Sequence, residues 1–171
     1  KVNMYLILET ERLLMREMCH EDAKALFEMD SNPNVHRYLW QKPFSEIEDI
    51  HSYIDMVRNQ YKKNKIGRFT TIIKATNEII GWTGIKYIDD HIENEKTNFY
   101  DYGYRLNEKF LNKGYATEAS KAWLDYGFNQ MKIKEMNAYT HSQNGASNHV
   151  LQKVGFNFME DYNDNQGIVW K

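Results

Sequence analysis

The clearest periodic pattern in the chain is an apolar stripe in its first half. Its members recur at steps of 3, 4, 3 and 4 residues: Ile47, Ile50, Ile54, Val57 and Tyr61. This spacing puts all five on one face of an amphipathic helix. Ser45 precedes the stripe and Glu48 follows its first member, in the pattern of a capping box, so we predict that the helix begins at Ser45. Upstream, the pattern predicts a strand over residues 11–18 and a short helix over 20–30.

The middle of the chain has the pattern of an antiparallel meander. The runs 68–75 and 79–88 are rich in β-branched and aromatic residues, and the short polar link 76–78 between them predicts a hairpin. A polar, acidic loop over 89–98 follows. The run from Phe99 to Leu106 then predicts a third strand of the meander.

The last third of the chain changes to alternating helices and strands. We predict helices over 115–129 and 146–154, and strands over 136–140, 156–160 and 167–171. A meander followed by a β-α-β-α-β pattern is typical of a mixed sheet with helices on both faces. The 171 residues therefore predict one α/β (α+β mixed) domain with a mostly antiparallel sheet of six to seven strands.

Composition and charge exclude several kinds of function. A net charge of only −2 gives no electrostatic footprint for nucleic-acid binding. No apolar run approaches the roughly 20 residues that a membrane span needs, and the first nine residues lack the features of a signal peptide. Cys19 is the only cysteine, and the histidines show no paired ligand spacing, so we predict no disulfide and no metal. The expectation is a cytoplasmic protein.

Candidate chemistry begins at the turn after the third meander strand. Gly114 frees the backbone there and the small Ala116 keeps side-chain bulk away, so consecutive amide N–H groups can point outward at a helix start. Together with the positive end of the helix dipole, these amides can hold an anion without a cationic side chain. A turn that only packs a helix closely against a strand has the same pattern, so both interpretations stay open at this point.

A second stretch places polar side chains on an otherwise apolar helix stripe. Asn144, Ser147, Leu151 and Val154 follow one another at steps of 3, 4 and 3 and share one face. Polar groups on an inward stripe need hydrogen-bond partners, which a ligand could supply. The alternative is that Asn144 only caps the helix and Ser147 bonds back to the helix backbone.

Together the two stretches resemble the GNAT acetyltransferase superfamily. The general Gln/Arg-x-x-Gly-x-Gly/Ala turn matches residues 111–116, with Leu111 in place of Gln or Arg and Asn112 in place of a frequent glycine. The chain is more narrowly similar to the RimJ/RimL-like branch, the ribosomal-protein N-terminal acetyltransferases. That similarity is carried by Gly103-Tyr104, Lys113 to Ala119, Asn144-x-x-Ser147, Lys153-x-Gly155-Phe156, Glu11 to Arg16 and Asn34 to Leu39.

The resemblance implies a GNAT fold and a site for acetyl-CoA. The turn amides would bind the diphosphate of CoA; they belong to Asn112, Lys113, Gly114, Tyr115, Ala116 and Thr117. The backbone of Tyr104, Arg105 and Leu106 would pair with the pantetheine arm, and an N–H near Leu106 would face the thioester oxygen. Asn144 would hold a pantetheine amide.

The resemblance also implies catalytic residues. Many relatives have a tyrosine general acid at the position of Leu151, which cannot donate a proton, so the role passes to Ser147, one turn earlier on the same face. A purely structural role for Ser147 stays open. Asp101 is the candidate base; it would act directly or through water, or it would simply pair with Arg105, because strand alternation puts both on one face.

The implied reaction is transfer of acetyl to a primary amine by direct transfer in a ternary complex. The resemblance to the RimJ/RimL-like branch implies a protein N-terminal α-amine, and a weakly defined base fits that substrate, because freeing it at pH 7 costs only about 1–1.4 kcal/mol, against roughly 4.6 kcal/mol for lysine. Substrate-binding candidates are Tyr38, Trp40, Asp89 and Asp101. A small amine such as an aminoglycoside, or a non-catalytic acyl-CoA-binding module, remains an alternative, and both a monomer and a homodimer are compatible.

Overall fold

A five-stranded antiparallel sheet forms the centre of the protein. The computed structural model describes residues 6–39, 42–164, 166 and 168–171. The strands are adjacent in chain order: β1 (Ile7–Glu9), β2 (Leu13–Glu17), β3 (Arg68–Ile73), β4 (Glu78–Ile88) and β5 (Phe99–Leu106). A separate antiparallel pair consists of β6 (Tyr162–Asn163) and β7 (Val169–Trp170). The predicted α/β class and antiparallel meander are confirmed.

The strands predicted after the meander are shorter than expected. In the segment 136–140 only Asn137 pairs with the sheet, through a single parallel bridge to Asp101. The segment 156–160 has no strand pairing, and its apolar residues Phe158 and Met159 are 57% and 83% exposed. The predicted last strand, 167–171, is reduced to β7, and residue 167 lies outside the described residues. The strands therefore divide into five and two instead of joining one larger sheet.

The part of the chain that the structure describes has four α-helices around the sheet. Their bounds are α1 (Ala23–Asp30), α2 (Ile47–Asn64), α3 (Tyr115–Asp125) and α4 (Gly145–Lys153), and a π-helical segment, Tyr126–Gln130, extends α3. The stripe predicted for α2 is buried from Ile50 to Tyr61, whereas Ile47 in the first turn is 37% exposed. The predicted capping box is wrong by one residue, because Glu46 and Asp49 form it instead of Ser45 and Glu48.

The two faces of the sheet carry different helices. On one face Trp123 Nε1 of α3 donates to Thr83 Oγ1 at 2.8 Å, and Ser120 lies 2.7 Å from the Tyr102 hydroxyl. On the other face Asp30 of α1 accepts a hydrogen bond from Arg105 at 2.7 Å. Since residues alternate between faces along a strand, Tyr104 lies on the α3 face and Asp101 on the α1 face.

The far edge of β5 is only partly covered. Tyr102 N–H donates to Asn137 O at 2.7 Å, and Asn137 N–H donates to Tyr100 O at 2.9 Å. Alternate residues present their backbone groups to the same edge, so the N–H groups of Tyr104 and Leu106 also point to this side. No backbone group of the described residues pairs with them there. The sheet edge therefore opens beyond Tyr102.

Within the described residues, no helix is both long and apolar enough to cross a membrane.

Candidate active site

The turn before α3 presents a row of free backbone donors. Among the described residues, no acceptor pairs with the amide N–H groups of residues 112–117, and the first helical bond in this region runs from Glu118 N–H to Gly114 O at 3.0 Å. Gly114 has φ 81° and Asn112 has φ 59°, both in the left-handed region. Asparagine enters that region more readily than most residues other than glycine. Asn112 is therefore compatible with a position at which relatives often have glycine.

A salt bridge that the sequence did not reveal braces this turn. Arg12 Nε lies 2.6 Å from Glu118 Oε2, and Arg12 Nη1 donates to Lys113 O at 2.9 Å. The guanidinium also stacks over the ring of Tyr115, 4.5 Å from its centroid. Partial burial raises the pKa of Glu118, but hydrogen bonds from Thr10 and Arg12 outweigh it and leave that pKa below its ordinary value. The motif Glu11 to Arg16 contained the only signal for this contact.

A cavity of about 930 Å³ adjoins the open edge of β5. Residues that the sequence singled out separately line it together: Tyr38, Asp101, Tyr104, Arg105, Asn144 and Ser147. The cavity lies at the β5 edge, where both faces of the sheet are accessible. Asp101 therefore lines the cavity from one face and Tyr104 from the other. The cavity also has a size suited to binding a small molecule.

Ser147 and Tyr104 meet on the α3 face of this cavity. The Tyr104 hydroxyl donates to Ser147 Oγ at 3.1 Å, and no described residue accepts a hydrogen bond from Ser147 Oγ in return. Burial raises the pKa of Tyr104, although its hydrogen bond to Ser147 acts in the opposite direction. Asn144 caps α4, since its Oδ1 accepts the Ser147 N–H at 3.2 Å. The sequence predicted a role for the backbone of Tyr104 but missed its side chain.

Asp101 lies on the opposite face and is bound by an arginine. Arg68 Nη2 forms an ion pair with Asp101 Oδ2, and Arg68 Nη1 donates to Asp101 O at 2.9 Å. The predicted alternative that Asp101 pairs with Arg105 is wrong, because Arg105 binds Asp30. Burial raises the pKa of Asp101 despite the nearby Arg68. A Cβ on Gly103 would lie 2.8 Å from Arg68 Nη2, so glycine leaves space for this ion pair.

The other predicted acceptor-side residues have different surroundings. Asp89 does not line the cavity; its Oδ2 lies 2.7 Å from Lys63 Nζ, so the predicted substrate contact of Asp89 lacks support from its position. Tyr38 does line the cavity, and its ring lies 5.6 Å from that of His141. Trp40 lies outside the described residues. Within the described ranges, no cluster of three or more His, Cys, Asp or Glu side chains is arranged to hold a metal ion.

Comparison with known proteins gives a consistent family. Residues 12–157 match the model of the acetyltransferase (GNAT) domain. The uncharacterized N-acetyltransferase p20 of Bacillus licheniformis is 32% identical over 163 residues, covering 94% of this chain and 89% of p20. A GNAT-family acetyltransferase of Bacillus anthracis superposes with a TM-score of 0.79 at 26% identity, covering 96% of this chain and 95% of that one.

A more distant structure adds information about the fold. RimL, a ribosomal L7/L12 α-N-protein acetyltransferase solved in complex with CoA, superposes with a TM-score of 0.78 at 14% identity, covering 97% of each chain. At that identity the likeness shows the shared fold alone. The family match extends over most of the chain and p20 is 32% identical over 89% of its own length, so this protein belongs to the GNAT acetyltransferase family and is an N-acetyltransferase.

Proposed function

We propose that this protein acetylates N-terminal α-amines of proteins in the cytoplasm, with acetyl-CoA as the donor and direct transfer in a ternary complex. The observation that carries the proposal is a cavity at the open edge of β5 that both faces of the sheet share. A hydroxyl pair, Tyr104 and Ser147, reaches it from one face of the sheet, and a carboxylate, Asp101, reaches it from the other. The carboxylate can therefore accept a proton from the amine on one side of the cavity, and the hydroxyl pair can protonate the leaving thiolate on the other.

The residues present are suited to holding CoA. The six unpaired amides of residues 112–117 offer donors to a diphosphate, and the α3 dipole adds a favourable field. The free backbone groups of Tyr104 and Leu106 on the β5 edge can accept an amide-bearing chain as an added strand. Asn144 lies at the same cavity, where no described residue accepts a hydrogen bond from its side-chain amide N–H groups.

The chain's own groups would divide the work of the reaction. Acetyl-CoA supplies the acetyl group as a thioester. We assign Leu106 N–H to donate to the carbonyl oxygen as negative charge develops there. Ser147 would protonate the departing thiolate, and the Tyr104 hydroxyl is placed to return a proton to Ser147. Asp101, whose Oδ1 is not hydrogen-bonded to any described residue, would accept the amine proton directly or through water.

A screen of acceptors tests the proposed substrate. Peptides with free α-amines, spermidine and an aminoglycoside are compared at equal concentration by release of the CoA thiol. We expect turnover of peptides, because deprotonating an α-amine near neutral pH costs only about 1–1.4 kcal/mol. Turnover of the aminoglycoside with inactive peptides would assign the rival substrate. CoA binding without acetylation of any amine would indicate a non-catalytic module.

Replacing Gly114 by alanine should weaken CoA binding. The φ of 81° disfavours any side chain by about 1–2 kcal/mol, and the added Cβ would lie 3.2 Å from Arg12 Nη2. If the turn shifts to relieve this strain, the dissociation constant for CoA should rise by about 5–30-fold. Isothermal titration calorimetry measures the effect. Gly145→Ala is the matched control, because nothing lies near its Cβ. Equal CoA affinity and equal stability of both variants and wild type would contradict the assigned turn.

A further inference from the structure

We propose that the acceptor carries a carboxylate close to its reacting α-amine, and that Lys86 binds this carboxylate. The proposal rests on the proposed function, since it takes the Asp101 side of the cavity as the acceptor side. It adds a chemical class of substrate, an acidic N-terminal segment, that neither the family match nor the relatives specify.

Lys86 lines the cavity on the same sheet face as Asp101. We call this part of the lining, with Arg68 and Arg105, the floor of the cavity. The two residues lie directly opposite each other in the register of β4 and β5, and both line the cavity. Lys86 is half-buried, and no described residue forms an ion pair or a hydrogen bond with its Nζ. Burial lowers the pKa of Lys86, as does the charge of Arg68, and the nearby carboxylates of Asp101, Asp90 and Glu93 offset this only in part. A desolvated ammonium without a partner is stabilised when a ligand brings an anion.

The other charged groups of the cavity floor are already neutralised. Arg68 pairs with Asp101, and Arg105 Nη1 lies 2.7 Å from Asp30 Oδ1. Lys86 is therefore the cation of this floor that has no direct ion pair among the described residues, because the neighbouring Asp101 is paired with Arg68. A ligand that supplies a carboxylate there completes a third cation–carboxylate pair.

The carboxylates at the rim of the cavity are mostly occupied. Glu93 accepts a hydrogen bond from the Tyr162 hydroxyl, and its Oε2 lies 3.5 Å from His91 Nε2. Asp164 Oδ2 accepts from Trp170 Nε1 at 2.9 Å. Glu95 is exposed on the loop. These hydrogen bonds order the rim carboxylates but leave their negative charges in place, so the preference for an anion rests on Lys86 at the floor.

The register also sets the distance between amine and carboxylate. The amine attacks the thioester, which the proposed function places beside Tyr104 and Ser147, whereas Lys86 lies opposite Asp101, three residues along β5 from Tyr104. At about 3.3 Å per residue, that separation is roughly 10 Å along the strand. An extended peptide spans at most about 3.3–3.6 Å per residue, so roughly three residues cover it. The carboxylate should therefore belong to a residue within the first few positions of the acceptor.

The test uses paired peptides that differ only in one charge. Peptides with a free α-amine carry Glu or Gln at position 2, 3 or 4, with the C-terminus amidated, and a further pair of tripeptides has a free or amidated C-terminus. We expect the KM of the best Glu peptide to be about tenfold lower than that of its Gln partner, as for a hydrogen bond to a charged group. The position that shows the effect, or the free C-terminus, identifies the source of the carboxylate.

Variants of the protein assign the effect to Lys86. Lys86→Gln should abolish the preference for Glu, and Lys86→Arg should retain much of it. The matched control Lys121→Gln, at an exposed position on α3, should leave the preference intact. Calorimetric binding of the two peptides to the CoA complex provides a readout that does not depend on turnover.

Two results would overturn the inference. Equal KM values for the Glu and Gln peptides at every position would exclude a carboxylate site, and a preference that survives in Lys86→Gln would exclude Lys86. Both can occur while peptides are still acetylated, in which case the proposed function stands. Failure to acetylate any peptide would instead contradict the proposed function itself.

Discussion

Ser147→Ala should lower kcat by about 10²–10⁴-fold, the range expected for loss of a positioned general acid. The hydroxyl lies at the cavity on the α3 face and accepts a hydrogen bond from Tyr104 at 3.1 Å, so its own proton is available to a leaving thiolate. The affinity for CoA should change little, since Asn144 and the turn amides remain. Steady-state kinetics with the preferred peptide measures kcat, and calorimetry measures CoA binding.

Two further variants separate catalysis from structure at this position. Ser52→Ala removes an exposed serine of α2 and should leave kcat unchanged. Tyr104→Phe keeps the Ser147 hydroxyl but removes the group that would reprotonate it, so a smaller loss is expected. An unchanged kcat in Ser147→Ala would assign Ser147 a structural role, which is the alternative that the sequence left open.

Asp101→Ala should destabilise the protein by about 3–5 kcal/mol, because it leaves the buried Arg68 without its counter-ion. Arg68 is only 7% exposed and directs its guanidinium at the Asp101 carboxylate and at the backbone oxygens of Asp101 and Gly84. Urea unfolding followed by circular dichroism measures the change in the free energy of unfolding. Activity should fall as well, since the same carboxylate is the proposed base.

The matched variants distinguish these two contributions. Asp90→Ala removes an exposed carboxylate and should change stability by less than about 0.5 kcal/mol. Asp101→Asn retains a hydrogen-bond acceptor for Arg68, so it should recover part of the stability but little of the activity. A loss below about 1 kcal/mol in Asp101→Ala would show that Arg68 is satisfied without the carboxylate.

Local patterns predicted those parts of the fold that depend on neighbours in sequence. The stripe of α2 and the β3–β4 hairpin follow from spacing within a few residues, and both are found where the sequence places them. The segment 136–140 has the composition of a strand, yet only Asn137 pairs with β5. Whether the residues after Asn137 also pair with β5 depends on their distance from Tyr104, which tertiary packing sets. No local sequence pattern contains that information.

The sequence predicted residues of the candidate site but not the ion pairs that hold them. Alternation placed Asp101 on one face of β5 but could not identify its partner, because Arg68 lies on β3, two strands away, and reaches Asp101 only through the register of β4. The contact of Arg12 with Glu118 joins residues 106 positions apart in the sequence, so no spacing rule could suggest it.

A crystal structure of the protein with bound CoA tests the assigned site most directly. We predict the diphosphate on the amides of residues 112–117, the pantetheine arm paired with the β5 edge at Tyr104, and the sulfur within hydrogen-bonding reach of Ser147 Oγ. A CoA molecule whose sulfur lies away from the cavity shared by Ser147 and Asp101, or whose diphosphate does not contact the turn, would contradict the account.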